Sequence, residues 1–189
     1  MEPSDGELVS GAQKGDRDAM QELMARYQRR VLAVVIGMLR NPDDAAEVVQ
    51  ETFLRAFRKI EGFKGDSSFY TWVYRIAVNL AIDHKRRKSN SGGVEFDETL
   101  PPAEDAVGQG GEILGRDPFQ RVRDRELGRK IFEAIEDLTP NHRAVILLRE
   151  IEGLSYEEIS EVLECSMGTV MSRLHYARKQ LQARLQEIL

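Results

Sequence analysis

A single cysteine, Cys165, stands among 189 residues, so the chain can close no internal disulfide and build no cysteine-cluster metal site. Histidine is almost as scarce: His84, His142 and His175 are scattered along the sequence. No glycine-rich phosphate loop, paired-carboxylate motif or metal-ligand spacing accompanies them. Cys165 with His175 is the one pair that resembles a nucleophile and a base, yet a small, partly buried side chain is the ordinary occupant of such a turn. The residues therefore offer no catalytic site, no metal site and no cofactor site. Long apolar runs are missing too. The most apolar stretch, Val31 to Leu39, falls well short of the roughly 20 residues a membrane span needs. The first residues, MEPSDGELV, are acidic and lack the apolar centre of a secretory signal. The expectation is a soluble, cytoplasmic chain without membrane insertion. Strand alternation and internal repeats are also absent.

A net positive charge is missing as well. The balance of 27 Lys and Arg against 32 Asp and Glu gives −5, which does not announce a nucleic-acid binder. The average hides a pattern. Arg75, Lys85, Arg86, Arg87 and Lys88 face only Asp83 between positions 75 and 88. Residues 89–117 then carry Glu95, Asp97, Glu98, Glu104, Asp105, Glu112 and Asp117 against Arg116, together with Ser-Asn-Ser-Gly-Gly and Pro101-Pro102. Arg173, Arg178, Lys179 and Arg184 follow between Met171 and Arg184 with no acid among them. Two basic segments flanking an acidic, Gly/Pro/Ser-rich stretch predict two polyanion contacts joined by a flexible linker.

What is abundant is helical periodicity. Ser4 and Glu7 predict a capping box for a short helix that ends at Lys14-Gly15. Asp16 or Asp18 opens a longer one to about Arg40, with Met20, Leu23, Met24, Tyr27, Val31, Val34, Val35, Met38 and Leu39 at helical spacing. Asn41-Pro42 stops it and starts a third, with Asn as cap and Pro in the first turn. This helix, to Ile60, sets Ala45, Val48, Val49, Phe53, Ala56 and Phe57 against a polar face of Asp44, Glu47, Gln50, Glu51 and Arg55. Taken alone, that face reads as ordinary solvated surface. A helix capped at Asp66 to Ser68 runs to about Arg87. Beyond the linker, Asp117-Pro118 opens a helix to Leu138 with Val122, Leu127, Ile131, Phe132 and Ile135 inside, and Thr139-Pro140 opens another to Ile151. The length suits one large domain or two small ones, each with its own core. The pattern favours an all-α chain of two small helical domains.

Two segments carry candidate chemistry. In the first, Phe63, Phe69, Tyr70, Trp72 and Tyr74 crowd a glycine-flanked loop and the start of a helix with a basic end. Plain core packing explains such aromatics, with Trp72 joining Val73, Ile76 and Leu80. A single-stranded nucleic-acid site, with bases on rings and phosphates on Lys and Arg, is the other reading. The second segment runs from Leu154 to Leu181. Ser155 and Glu158 form a capping box, and Ile159, Val162 and Leu163 give one apolar face. Glu164-Cys165-Ser166 turns the chain, and a further helix buries Val170, Leu174, Ala177, Leu181 and Leu185. Gly168, Ser172, His175, Tyr176 and Lys179 lie opposite, flanked by Thr169, Met171, Arg173 and Arg178. Such a hairpin is either two packed amphipathic helices or a helix-turn-helix that lays its second helix in the DNA major groove.

The order of three motifs decides between these readings. QKGDRDAMQELMARYQ (13–28), EVVQETFLRAFRKIEGFKGDSSFYTWVYRIAVN (47–79) and LTPNHRAVILLREIEGLSYEEISEVLECSMGTVMSRLHYARKQL (138–181) together resemble the extracytoplasmic-function (ECF) sigma factors. These are the two-domain branch of the bacterial sigma-70 family, and the likeness is to the sigma-E type. The resemblance implies sigma domain 2 over residues 1–88, a linker over 89–117 and helix-turn-helix sigma domain 4 over 118–189. It implies a monomeric alternative sigma factor, stress-responsive, that binds the β′ and β subunits of core RNA polymerase and promoter DNA and answers to an anti-sigma factor.

Residue by residue, the resemblance gives core-polymerase binding to Asp44, Glu47, Gln50, Glu51 and Arg55. It gives −10 recognition and melting to Phe63, Lys64, Ser68, Phe69, Tyr70, Trp72, Arg75, Asn79, Asp83, Arg86 and Arg87. It gives −35 recognition to Ser166, Gly168, Thr169, Met171, Ser172, Arg173, His175, Tyr176, Arg178 and Lys179. The chain departs from the family at Glu47, where Asp is usual, and at Met171 and His175-Tyr176, where relatives carry arginine and an aromatic-arginine pair. A stand-alone regulator would share the C-terminal hairpin but has no use for the 63–88 segment. An adaptor of helical hairpins would not need the basic clusters.

Overall fold

The computed structural model describes residues 2–90 and 118–188, all of their regular structure helical. The acidic linker predicted over 89–117 lies, apart from its first two residues, outside the described residues. The N-terminal group contains α1 (Asp5–Gln13), α2 (Arg17–Leu39), α3 (Pro42–Lys59) and α4 (Phe69–Asn90). The C-terminal group contains α5 (Pro118–Glu136), α6 (Pro140–Ile146), α7 (Tyr156–Val162) and α8 (Met167–Ile188).

The predicted start signals at Ser4, Asp16 and Asn41 operate as written, whereas the cap predicted at Asp117 lies outside the described residues. Ser4 Oγ accepts from the Glu7 amide and Glu7 returns the bond to the Ser4 amide at 2.8 Å. Asp16 caps α2 through the amides of Asp18 and Ala19, and Asn41 caps α3 ahead of Pro42. Each cap satisfies donors that a helix cannot satisfy itself. Arg40 ends α2 in a left-handed conformation with φ of 57°.

Three expectations are corrected. Leu127 and Ile131 stand exposed on α5, whose Ala134 and Ile135 are the positions that reach the core among its described side chains; Val122, also expected inside, lies outside them. Leu181 and Leu185 are half-buried, since the distal turns of α8 extend past most of their neighbours. The helix from Thr139 does not run evenly to Ile151: α6 passes at Leu147–Ile151 into a wider π turn.

The two helical groups do not keep separate cores. One apolar cluster runs from Leu8 through Val34, Val73 and Leu147 to Ala177. Gly37 on α2 permits this: a Cβ built there would stand 2.6 and 2.9 Å from the methyls of Leu147. Arg143 secures the same junction. Fully buried, it donates to the carbonyls of Met38 (2.7 Å), Ile135 (3.2 Å), Leu138 (3.3 Å) and Glu136. Burial draws its pKa downward, and the spent carbonyls at the ends of α2 and α5 are what a guanidinium there can satisfy.

Candidate nucleic-acid and polymerase interfaces

The polar face of α3 forms one side of a shallow groove of roughly 450 Å³. Glu47, Gln50 and Arg55 are exposed, and Arg55 Nε donates to Glu51 at 2.6 Å. That bond holds the Glu51 carboxyl below its usual range. Asp44 sits deeper, taking Lys88 Nζ at 2.8 Å with His84 Nε2 3.9 Å away. Leu54, 44% exposed, also lines the groove. Sequence reasoning missed it, although its signal was legible: it is a leucine off the apolar stripe of α3.

A second cavity of about 480 Å³ opens between the 62–67 loop and the start of α4. Phe63 and Trp72 face each other there with ring centroids 4.9 Å apart, and Lys64 and Arg75 add positive charge. Gln13 anchors the loop by donating to the carbonyls of Ile60 and Phe63 at 3.1 and 2.8 Å. Ser68 caps α4 through the Thr71 amide at 3.2 Å. Phe69 lies in the core, packed on Tyr27 and Trp72, so its ring is committed to the scaffold. Farther along α4, Asn79 and Arg87 are exposed and Asp83 pairs with Arg86 at 3.1 Å.

Tyr70 and Tyr74 take partners that sequence reasoning did not foresee. The Tyr70 hydroxyl donates to Glu158, and the Tyr74 hydroxyl donates to Glu152 at 2.6 Å. Arg30 donates to the same Glu152 oxygen at 3.0 Å. Burial first, then the carboxylate, pushes both phenols above their ordinary value of 10.0. Glu161 and Glu164 reach the rim of the Phe63–Trp72 cavity, with Glu164 3.7 Å from Arg75. No local pattern in the 63–88 segment reports acids some eighty or more positions away.

The third surface is the α7–α8 hairpin. Ser155 and Glu158 close their capping box at 3.1 and 2.7 Å, and Ser166 caps α8 through the Thr169 amide at 3.1 Å. Glu164 makes the turn with φ of 49°, a conformation that favours short or flexible residues. Val170, Leu174 and Ala177 are buried, which turns Met171, Ser172, His175, Tyr176 and Lys179 outward. Gly168 is exposed at the entry to the helix. Arg173 is half-buried beside Cys165, its Nη1 3.7 Å from Sγ. Glu150 takes two nitrogens of Arg178 at 2.7 and 3.2 Å and raises its pKa. Tyr156, held under the Arg149 guanidinium at 5.1 Å, joins Met171, His175 and Lys179 around a further groove. Its place was not visible in sequence because it belongs to the first helix of the hairpin.

The arrangement puts an exposed helix with basic, polar and apolar side chains on a short capped scaffold, the geometry of a major-groove reader. Residues 23–91 match the family model of sigma-70 region 2, and residues 128–181 match that of sigma-70 region 4. The ECF RNA polymerase sigma-E factor of Haemophilus influenzae is 37% identical over 194 residues, covering 98% of this chain and 97% of that protein. The chain belongs to the ECF sigma factors. The RNA polymerase sigma-H factor of Pseudomonas aeruginosa is also similar, at 34% identity over 98% of this chain and 95% of that protein. Among solved structures, CnrH in complex with the cytosolic domain of CnrY superposes with a TM-score of 0.70 at 26% identity. That match covers 95% of this sigma factor and 96% of CnrH. Among the described residues no helix is long and apolar enough to cross a membrane, and no group of three or more His, Cys, Asp or Glu could hold a metal ion.

Proposed function

We propose that this sigma factor binds core RNA polymerase in the cytoplasm, reads the −35 and −10 elements of its promoters and directs initiation, leaving the chemistry to the polymerase. The observation that carries the reading is the near-full-length likeness to a sigma-E factor, which spans both the region 2 and the region 4 segments. In this reading residues 1–88 act as domain 2 and 118–189 as domain 4. The polar face of α3, from Asp44 to Arg55, takes the polymerase. A flipped base enters the Phe63–Trp72 cavity, where Lys64 and Arg75 offset the few kcal/mol that unstacking costs. The outer face of α8 enters the −35 major groove. Met171 there offers a thioether to a thymine methyl, which gives this sigma factor a −35 preference of its own. An anti-sigma protein completes the set of partners; CnrH, a solved relative, is itself in complex with a second protein.

Run-off transcription with purified bacterial core polymerase, this chain and a pool of promoter fragments tests the reading. Transcripts that depend on the chain are expected, and their start sites define both elements. No transcript, with tight binding of one duplex by the chain alone, would replace this function with that of a stand-alone regulator.

A further inference from the structure

The first helix, α1, lies ahead of the region 2 match, which begins at residue 23, and supplies none of the residues assigned above to polymerase or DNA. Its last residue nonetheless reaches the −10 segment. Gln13 Nε2 donates to the carbonyls of Ile60 at 3.1 Å and Phe63 at 2.8 Å, which engages both hydrogens of one amide nitrogen. Those carbonyls bracket the 3-10 turn Ile60–Gly62, through which the chain leaves α3 and enters the cavity loop. Lys64, Gly65 and Asp66 beyond it are exposed, so the loop takes its position from its ends: Gln13 on one side and the Ser68 cap on the other. The helix that carries Gln13 is itself fixed. Leu8, Val9 and Ala12 are buried, and Asp5 takes Arg26 Nη1 at 2.8 Å and the Tyr27 hydroxyl.

We infer that Gln13 is a positioning residue for the base cavity: α1 acts as a fixed strut that holds Phe63 against Trp72. What enters the cavity rests on the −10 reading above; the strut does not. The Phe63 ring stands 4.9 Å from Trp72 and 6.2 Å from Phe69, and the carbonyl that Gln13 holds belongs to the same residue. The bond pins the backbone that carries the ring, so the cavity is formed before a strand arrives. Selectivity between bases is a difference of affinities, and it survives only while the walls that exclude the wrong base stay in place. A loose Phe63 would admit every base on similar terms, because each base has a π-face for a ring to meet. Gln13 therefore governs which base is preferred more than how tightly the strand is held.

The test uses the full chain and two substitutions. Gln13→Leu removes the donors at similar side-chain length, and Gln13→Glu keeps the shape while replacing the donors with an acceptor. Trp72, the one tryptophan in the sequence and 9% exposed, reports on the cavity wall through acrylamide quenching. Fluorescence anisotropy on the holoenzyme, assembled from purified core polymerase, compares four non-template strands. These differ only at the flipped base of a promoter mapped by run-off transcription. Circular dichroism confirms that each variant stays helical. Quenching of Trp72 should rise in both variants. The affinity ratio of the preferred base to the others should fall about five- to tenfold, the equivalent of one lost hydrogen bond, with −35 duplex binding unchanged. Quenching equal to that of the parent, or a base ratio kept while quenching rises, overturns the role of Gln13. A parent holoenzyme that treats the four strands alike, with quenching still raised in the variants, keeps the strut and removes the −10 reading.

Discussion

The Tyr74 hydroxyl donates a 2.6 Å hydrogen bond to Glu152 across 78 residues of sequence, and Arg30 donates to the same oxygen. A phenol, a guanidinium and a nearly buried carboxylate thus satisfy one another at the junction of α2, α4 and the π turn. Tyr74→Phe should leave Glu152 with Arg30 alone and cost about 1.5–3 kcal/mol, the usual net worth of a hydrogen bond to a charged group. Urea unfolding checks this, through a lowered midpoint at unchanged slope. A midpoint equal to that of the parent would mean water replaces the phenol at no cost.

The close approach of Gly37 to Leu147 makes a second, steric prediction. Gly37→Ala should destabilise by about 1–3 kcal/mol through overpacking. Leu147→Ala should cost about 2–5 kcal/mol through its cavity. The double variant should lose clearly less than the sum, because each change relieves the other. Simple additivity would place the strain elsewhere.

The Glu158 carboxyl supplies a pH dependence. Burial acts to raise its pKa, but bonds from Tyr70 and Ser155 prevail and hold it below the ordinary 4.5. A depressed carboxylate contributes stability that is present above 4.5 and is lost as pH falls through the lowered value. The parent should therefore melt above Glu158→Gln at pH 7, and the gap should close on acidification below about 4.5. Thermal melts in matched buffers measure it. A gap that persists unchanged in acid would assign the effect to packing.

Lys179 is exposed on the outer face of α8. Lys179→Ala should weaken −35 duplex binding uniformly across sequences and reduce the salt slope by roughly one counterion. An unchanged slope would return that ammonium to solvent.

Glu51 lines the α3 groove in its bond to Arg55. Glu51→Lys should impair assembly with core polymerase, seen by gel filtration, while leaving −35 duplex binding intact. Equal loss of both would indicate a folding defect.

The helices, the family and the outward side of α3 and α8 were legible in the sequence, because these depend on neighbours in the chain. Caps at Ser4, Asp16, Asn41 and Ser155 act within a turn, and a period of 3.6 residues sorts Val170, Leu174 and Ala177 from Met171 and Tyr176. The tertiary structure alone decided how the two groups meet. Gly37 is the contact that admits Leu147. Arg143 is fully buried among carbonyls. Phe69 reads as a candidate base contact and belongs to the core. Glu158, legible in sequence as half of a capping box, also answers a phenol of α4, and Glu152 answers another. Periodicity records which face of a helix is buried, whereas the identity of what covers it depends on residues whose separation along the chain leaves no local trace.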